Sequence, residues 1–200
     1  MISNDAKVFA IKVHSGQRRK SDKDKPMVIH PINVANILRE YNFDDNVIAA
    51  GYLHDTVEDT NTTFDDINKL FGEDIKSLVE GASEPDKSLS WEERKKHTIE
   101  TIKTLDMRHK AVIAADKISN LEDLKILFEI KGEYDFSAFK RGFDDQKWYY
   151  TEVYNSLTLN DNHPMFDRLK ELIDYVFYNN HKDEYLISNI FNDNLDEYKE

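Results

Sequence analysis

Apolar residues recur three and four positions apart along most of the chain, the spacing that lines one face of an α-helix. Ala6, Val8, Phe9, Ala10 and Val13 follow it over 3–13, and Ile32, Val34, Ala35, Ile37 and Leu38 follow it from His30-Pro31 to about Tyr41. Proline is tolerated in a first helical turn, so Pro31 fits the start of that second helix. The next run, Val47 to Leu53, is almost wholly apolar, and Asp44 or Asp45 ahead of it suits an N-cap. Thr62 or Thr63 with Asp65 or Asp66 resembles a capping box, with Gly72 as a stop. Further helices are predicted over 74–79, ending near Gly81, over 90–104, over 109–127, and in aromatic-rich stretches between Gly132 and Phe177. Between the first two helices, GQRRKSDKDKPMV loses all periodicity and reads as a polar, basic loop. No alternation is long enough for a sizeable sheet, and no repeat or linker interrupts the pattern. The expected fold is all-α and single-domain, with a core over 1–160 and a helical extension over 161–200 packed on it, fraying at its acidic end.

Composition narrows the function classes. The chain has 200 residues, a formal charge of −12, 40% hydrophobic and 33% charged residues, and no cysteine. That negative balance argues against a general nucleic-acid binder, which needs a basic face to release phosphate counterions. No run approaches the ~20 apolar residues of a membrane span, and the first twenty residues lack the apolar core of a secretory signal. A cytoplasmic location is expected, with no nucleic-acid or membrane partner. Without cysteine, any bound metal must be held by His, Asp or Glu.

One segment breaks the simple amphipathic picture. In GYLHDTVEDT, His54, Asp55, Glu58 and Asp59 crowd beside Tyr52, Leu53 and Val57. On a continuous helix His54 would lie one turn from Glu58, and Asp55 one turn from Asp59. Such groups set unpaired against a core cost several kcal/mol, roughly. A divalent cation held by His54 and Asp55 relieves that cost and leaves Glu58 and Asp59 to handle a water and its proton. A solvated acidic face is the alternative.

Three other features bear on the choice. His30, at the head of an apolar helix, can supply a neutral imidazole. Asp116 stands alone in the apolar VIAADKISNL and needs a partner, with Lys117, Arg108 or a cation as candidates. The basic run Arg18, Arg19, Lys20, with Ser21, reverses the sign of an otherwise acidic chain and suits a phosphate-bearing ligand.

The order H…HD…D resembles the HD superfamily of metal-dependent phosphohydrolases. More narrowly, HSGQRRKSDKDKPMVIHPINVANIL, LHDTVEDTNTTFDDINKLFG and ADKISNLEDL resemble the hydrolase domain of RelA/SpoT-type enzymes, and within it the stand-alone, Mesh1-like small alarmone hydrolases. The similarity spans about residues 5–157. It implies an all-helical fold, a Mn²⁺ ion, and hydrolysis of ppGpp and pppGpp at the 3′-pyrophosphate to give GDP or GTP and pyrophosphate. It implies metal ligation by His30, His54, Asp55 and Asp116, and water activation by Glu58 and Asp59. Arg19, Lys20 and Ser21 match the nucleotide-pocket motif, and Asn120 matches a polar residue near the ribose.

Pro26-Met27 replaces the usual Pro-Tyr of such families, so an aromatic contact is expected to be missing or moved. Arg141, Lys147, Trp148 and Tyr149 are weaker candidates for substrate contact, with core packing the alternative for the aromatics. His14, His97, His109, His163 and His181 are expected to be structural or surface residues. The chain after Leu157 is too short for a synthetase domain, so degradation without synthesis is expected. Other ribose-phosphorylated nucleotides such as NADPH, or silent alarmone binding, are the alternatives; oligomeric state is left open.

Overall fold

The computed structural model describes residues 1–19, 22–84, 88–131 and 141–178. These residues form ten helices: α1 (Ile2–Val13), α2 (Ile29–Glu40), α3 (Asp45–Leu53), α4 (Thr56–Asp59), α5 (Phe64–Phe71), α6 (Glu73–Ala82), α7 (Trp91–Ile102), α8 (Met107–Lys131), α9 (Phe143–Leu157) and α10 (Pro164–Phe177). No strand occurs among the described residues; one isolated bridge, Arg18 to Pro26, closes the basic loop. Residues 179–200 of the expected C-terminal extension, and His181 with them, lie outside the described residues.

The helix ends follow local chemistry. Asp44 caps α3 by accepting from the amides of Asn46 and Val47. Thr63 with Asp66, and Ser90 with Glu93, form reciprocal capping boxes at α5 and α7. Gly72 turns α5 into α6 at φ 90°, a left-handed conformation that glycine adopts without a Cβ penalty. α6 does not stop near Gly81 but runs through it to Ala82.

α3 and α8 are the inner elements. Every residue of α3 from Val47 to Leu53 is buried, and α3 packs against α1, α2 and α6. The apolar stretch Ala111–Ala115 of α8 is also buried, and α8 packs against α2 and α10. A helical stretch that is apolar all round is stable only when surrounded, which is why α3 and this part of α8 sit in the middle.

Small residues bring the site together. At Gly51 a Cβ would stand 2.7 Å from Leu38 Cδ1 and 3.2 Å from Ala35 Cα. Its absence lets α3 press against α2, so that His54, just past the end of α3, meets His30 in the first turn of α2.

Candidate active site

The continuous helix expected over 54–59 is not what forms. α3 ends at Leu53, His54 and Asp55 make a turn, and α4 begins at Thr56. Side chains take the carbonyls that a continuing helix would use: Nδ1–H of His54 donates to the Gly51 carbonyl (2.9 Å), and Thr56 Oγ1 donates to the Leu53 carbonyl (2.6 Å). Asp59 still lies one turn from Asp55, its amide donating to the Asp55 carbonyl at 3.0 Å. Glu58 is turned toward the residues that follow α6, where its Oε1 accepts from the Glu84 amide at 2.8 Å.

The break aims His54 inward. Its Nε2 lies 3.2 Å from Nε2 of His30, 3.2 Å from Asp55 Oδ1 and 3.7 Å from Asp116 Oδ1. Nε2 of His30 lies 3.0 Å from Asp116 Oδ1 and 3.6 Å from Asp55 Oδ2. His30, His54 and Asp116 each place one donor atom within 4.8 Å of the others. The two rings are only 2% and 3% exposed; Asp116 and Asp55 open further to the cavity, with 16% and 23% of their side chains exposed.

The outer nitrogens are fixed by the protein. A carbonyl only accepts, so His54 carries its hydrogen on Nδ1 and presents a bare Nε2 when neutral. His30 Nδ1 is 3.0 Å from Ser119 Oγ, leaving its Nε2 to face the same point. Outer bonding of this kind orients metal-ligating histidines, and at His54 the carbonyl also sets the tautomer. Ligand atoms ~2.1 Å from a shared cation at right angles to one another lie about 3 Å apart. The observed spacings fit that edge, and the two imidazoles and two carboxylates suit a divalent ion.

Charge tells the same story. Burial opposes a proton on His30 and lowers its pKa. On His54 burial is overcome by the charges of Asp55 and Asp116, which push it up to about 9. Burial raises the carboxyls, but His54 beside Asp55 and Lys117 beside Asp116 hold both well below the usual range. The cluster therefore draws in positive charge. Lys117 supplies some, donating to Asp116 Oδ2 at 2.6 Å, while Oδ1 stays turned to the imidazoles. Of the partners expected for Asp116, Lys117 is found; Arg108 instead binds Asp44 and Asp74.

The donors open into a cavity of about 470 Å³, lined also by Gln17, Arg19, Glu58, Asp59, Glu84 and Asn120. Arg19 Nη2 donates to Asn120 Oδ1 (2.9 Å) and Asp123 Oδ2 (3.1 Å), and Asn120 Nδ2 donates to Asp116 Oδ1 (2.7 Å). Lys25 also grips Asp123, at 2.6 Å. Arg19 and Asn120, 101 positions apart, thus meet beside the donor cluster. Lys20 and Ser21 lie outside the described residues. Met27, which stands where an aromatic was expected, is buried and lines the cavity.

Arg141, Lys147, Trp148 and Tyr149 do not line this cavity. Arg141 pairs with Glu92, Lys147 lies over the Tyr178 ring, Trp148 lies tilted against Trp91, and Tyr149 is buried under Lys95 and Lys117. Gln17, Glu84, Lys117, Ser119 and Asp123 were not singled out as site residues from sequence. Lys117 carried the one signal, its place next to Asp116.

A family model described as an HD domain matches residues 6–131. The MESH1 guanosine-3′,5′-bis(diphosphate) 3′-pyrophosphohydrolase of Xenopus tropicalis is 43% identical over 123 residues, which cover 60% of this chain and 68% of that one. Its Drosophila melanogaster namesake is 42% identical over 120 residues, covering 59% and 66%. This chain spans about two thirds of the length of these curated relatives. The crystal structure of lmo0812 from Listeria monocytogenes EGD-e superposes with a TM-score of 0.71 at 44% identity, over 75% of this chain and 99% of that one. A metazoan SpoT orthologue, described as hydrolysing ppGpp, superposes with a TM-score of 0.73 at 32% identity, over 87% and 94%. This chain belongs to the HD-domain family.

Proposed function

We propose that the protein is a guanosine-3′,5′-bis(diphosphate) 3′-pyrophosphohydrolase, cleaving ppGpp or pppGpp to GDP or GTP and pyrophosphate with Mn²⁺ as its ion. The observation that carries this reading is the convergence of His30, His54, Asp55 and Asp116 at one end of a cavity that also holds Glu58, Asp59, Arg19 and Asn120. Similarity to the MESH1 hydrolases and to the SpoT orthologue supports the substrate. The nitrogen and oxygen donors, with no thiolate, support manganese over softer ions.

His30, His54, Asp55 and Asp116 would hold the ion, which when bound lowers the pKa of water and offsets charge on phosphoryl oxygens. Glu58 and Asp59 accept the proton of the attacking water. Glu58 is oriented for this by the Glu84 amide. Water adds to the phosphorus next to the ribose 3′ oxygen, the bond between them breaks, and that oxygen leaves as a hydroxyl by taking up the proton that the acidic pair received from the water. Arg19, with Lys20 and Ser21 of the same loop, binds the nucleotide; its planar guanidinium suits a base face or a phosphate. Asn120 orients Arg19 and Asp116 together and contacts the ribose. We take residues 1–160 as the catalytic core, with α10 buttressing α8.

Purified protein incubated with Mn²⁺ and ppGpp should release GDP and pyrophosphate in equal amounts. Release of single phosphate, faster turnover of NADPH, or binding without product would contradict the assignment. Supplied with GDP and ATP instead, the same protein should form no ppGpp.

A further inference from the structure

A second polar chain reaches the acidic turn along the wall of the cavity. Gln17 Nε2 donates to the Asp59 carbonyl at 2.7 Å, and Gln17 Oε1 lies 2.7 Å from His14 Nδ1. A carbonyl oxygen only accepts, so the Gln17 amide nitrogen must face Asp59, and its oxygen must accept from His14 Nδ1–H. His14 is 2% exposed, and its Nε2 is buried without a hydrogen-bond partner. An apolar side chain would fill this place without leaving a bare nitrogen inside, so what distinguishes the imidazole here is its Nδ1 donor.

The two ends of Gln17 serve different parts of the site. Its main chain helps close the basic loop: the Gln17 carbonyl accepts from Met27 N at 3.0 Å, next to the bond from Arg19 N to the Lys25 carbonyl, also at 3.0 Å. Its side chain holds the end of α4, a helix of four residues whose last carbonyls have no partner within the helix. Glu58 and Asp59 are the last two residues of that helix.

We infer that His14 and Gln17 are positioning residues, a two-member relay that sets the acidic turn in register with the nucleotide loop. The inference rests on the reading of Glu58 and Asp59 as the groups that handle the attacking water. Loss of the relay displaces those acids without unmaking the main-chain bonds of the loop. The effect therefore falls on kcat and spares KM.

Gln17→Leu removes both hydrogen bonds at similar size, and His14→Phe removes the donor while keeping a ring. Each should lower kcat for ppGpp by roughly 10- to 100-fold, since small misplacements of reacting groups carry costs of that order. KM should stay within about twofold. His14→Asn, which keeps an N–H near the Nδ1 position, should recover most of kcat, and the Gln17→Leu/His14→Phe double variant should be no worse than either single one.

A readout without substrate separates this inference from the activity itself. The Asp59 and Thr60 amides, bonded to the carbonyls of Asp55 and Thr56, should exchange hydrogen at least ~10-fold faster in Gln17→Leu and His14→Phe than in the wild type. Unchanged exchange there overturns the relay even if the wild type hydrolyses ppGpp. A rise in KM at constant kcat, or His14→Asn behaving like His14→Phe, overturns it too. A wild type that exchanges as expected but leaves ppGpp intact contradicts the proposed function and not the relay.

Discussion

Two carboxylate clusters lean on the same inner helices and satisfy their charge in opposite ways. At the exposed ends of α3, α6 and α8, Arg108 donates to both oxygens of Asp44 (3.0 and 3.2 Å) and both oxygens of Asp74 (2.7 and 2.7 Å). One guanidinium, the Asn46 side-chain amide on Asp74 and two backbone amides on Asp44 complete that cluster. At the junction of α2, α3 and α8, Asp55 and Asp116 face two imidazole nitrogens at 3.0–3.7 Å. Lys117 takes one oxygen of Asp116 there and Asn120 donates to the other, while both Asp55 oxygens face the imidazoles. The chain completes its surface cluster with its own cation and leaves the buried one to draw positive charge from elsewhere, which is the mark of a binding site as opposed to a structural tie.

That contrast is most sharply broken at the buried cluster. His54→Ala or Asp116→Asn should lower kcat/KM for ppGpp by at least ~10³-fold, because ion binding and the orientation it provides go together. Steady-state kinetics with added Mn²⁺ measures this, and a loss under tenfold would place the chemistry elsewhere.

A smaller effect tests the outer bond. Ser119→Ala removes the hydroxyl 3.0 Å from His30 Nδ1 and should weaken the metal ~10- to 100-fold, with turnover recovered at higher Mn²⁺.

The smallest effect belongs to the surface. Arg108→Met should leave kcat unchanged and reduce stability by about 0.5–1 kcal/mol, because these pairs are exposed and screened. Its signature is in acid. The hydrogen bonds from Arg108 hold Asp74 down to about 2, below the ordinary value of 3.8. The stability it gives is present above the ordinary value and is lost as pH falls through about 2. Wild type and Arg108→Met should therefore differ by calorimetry at neutral pH and converge in strong acid.

Much of this was legible in the sequence. The Thr63–Asp66 cap, the Gly72 stop and the apolar runs of α3 and α8 are local chemistry, and local chemistry is written in adjacent residues. The reading of 54–59 as one helix failed because periodicity sees side-chain spacing. It does not see His54 and Thr56 taking main-chain carbonyls from the helix. The partners that hold the site, such as Ser119 behind His30 and Asp123 beneath Arg19, come from 89 and 104 positions away, and spacing carries no information at that range.

The most direct measurement is a calorimetric titration of metal-stripped protein with Mn²⁺, run on the wild type and on His54→Ala. One saturable ion per chain in the wild type, lost in the variant, is the expected result. No saturable ion in the wild type, or the same ion bound equally well by His54→Ala, would contradict a metal centre at the junction of α2, α3 and α8.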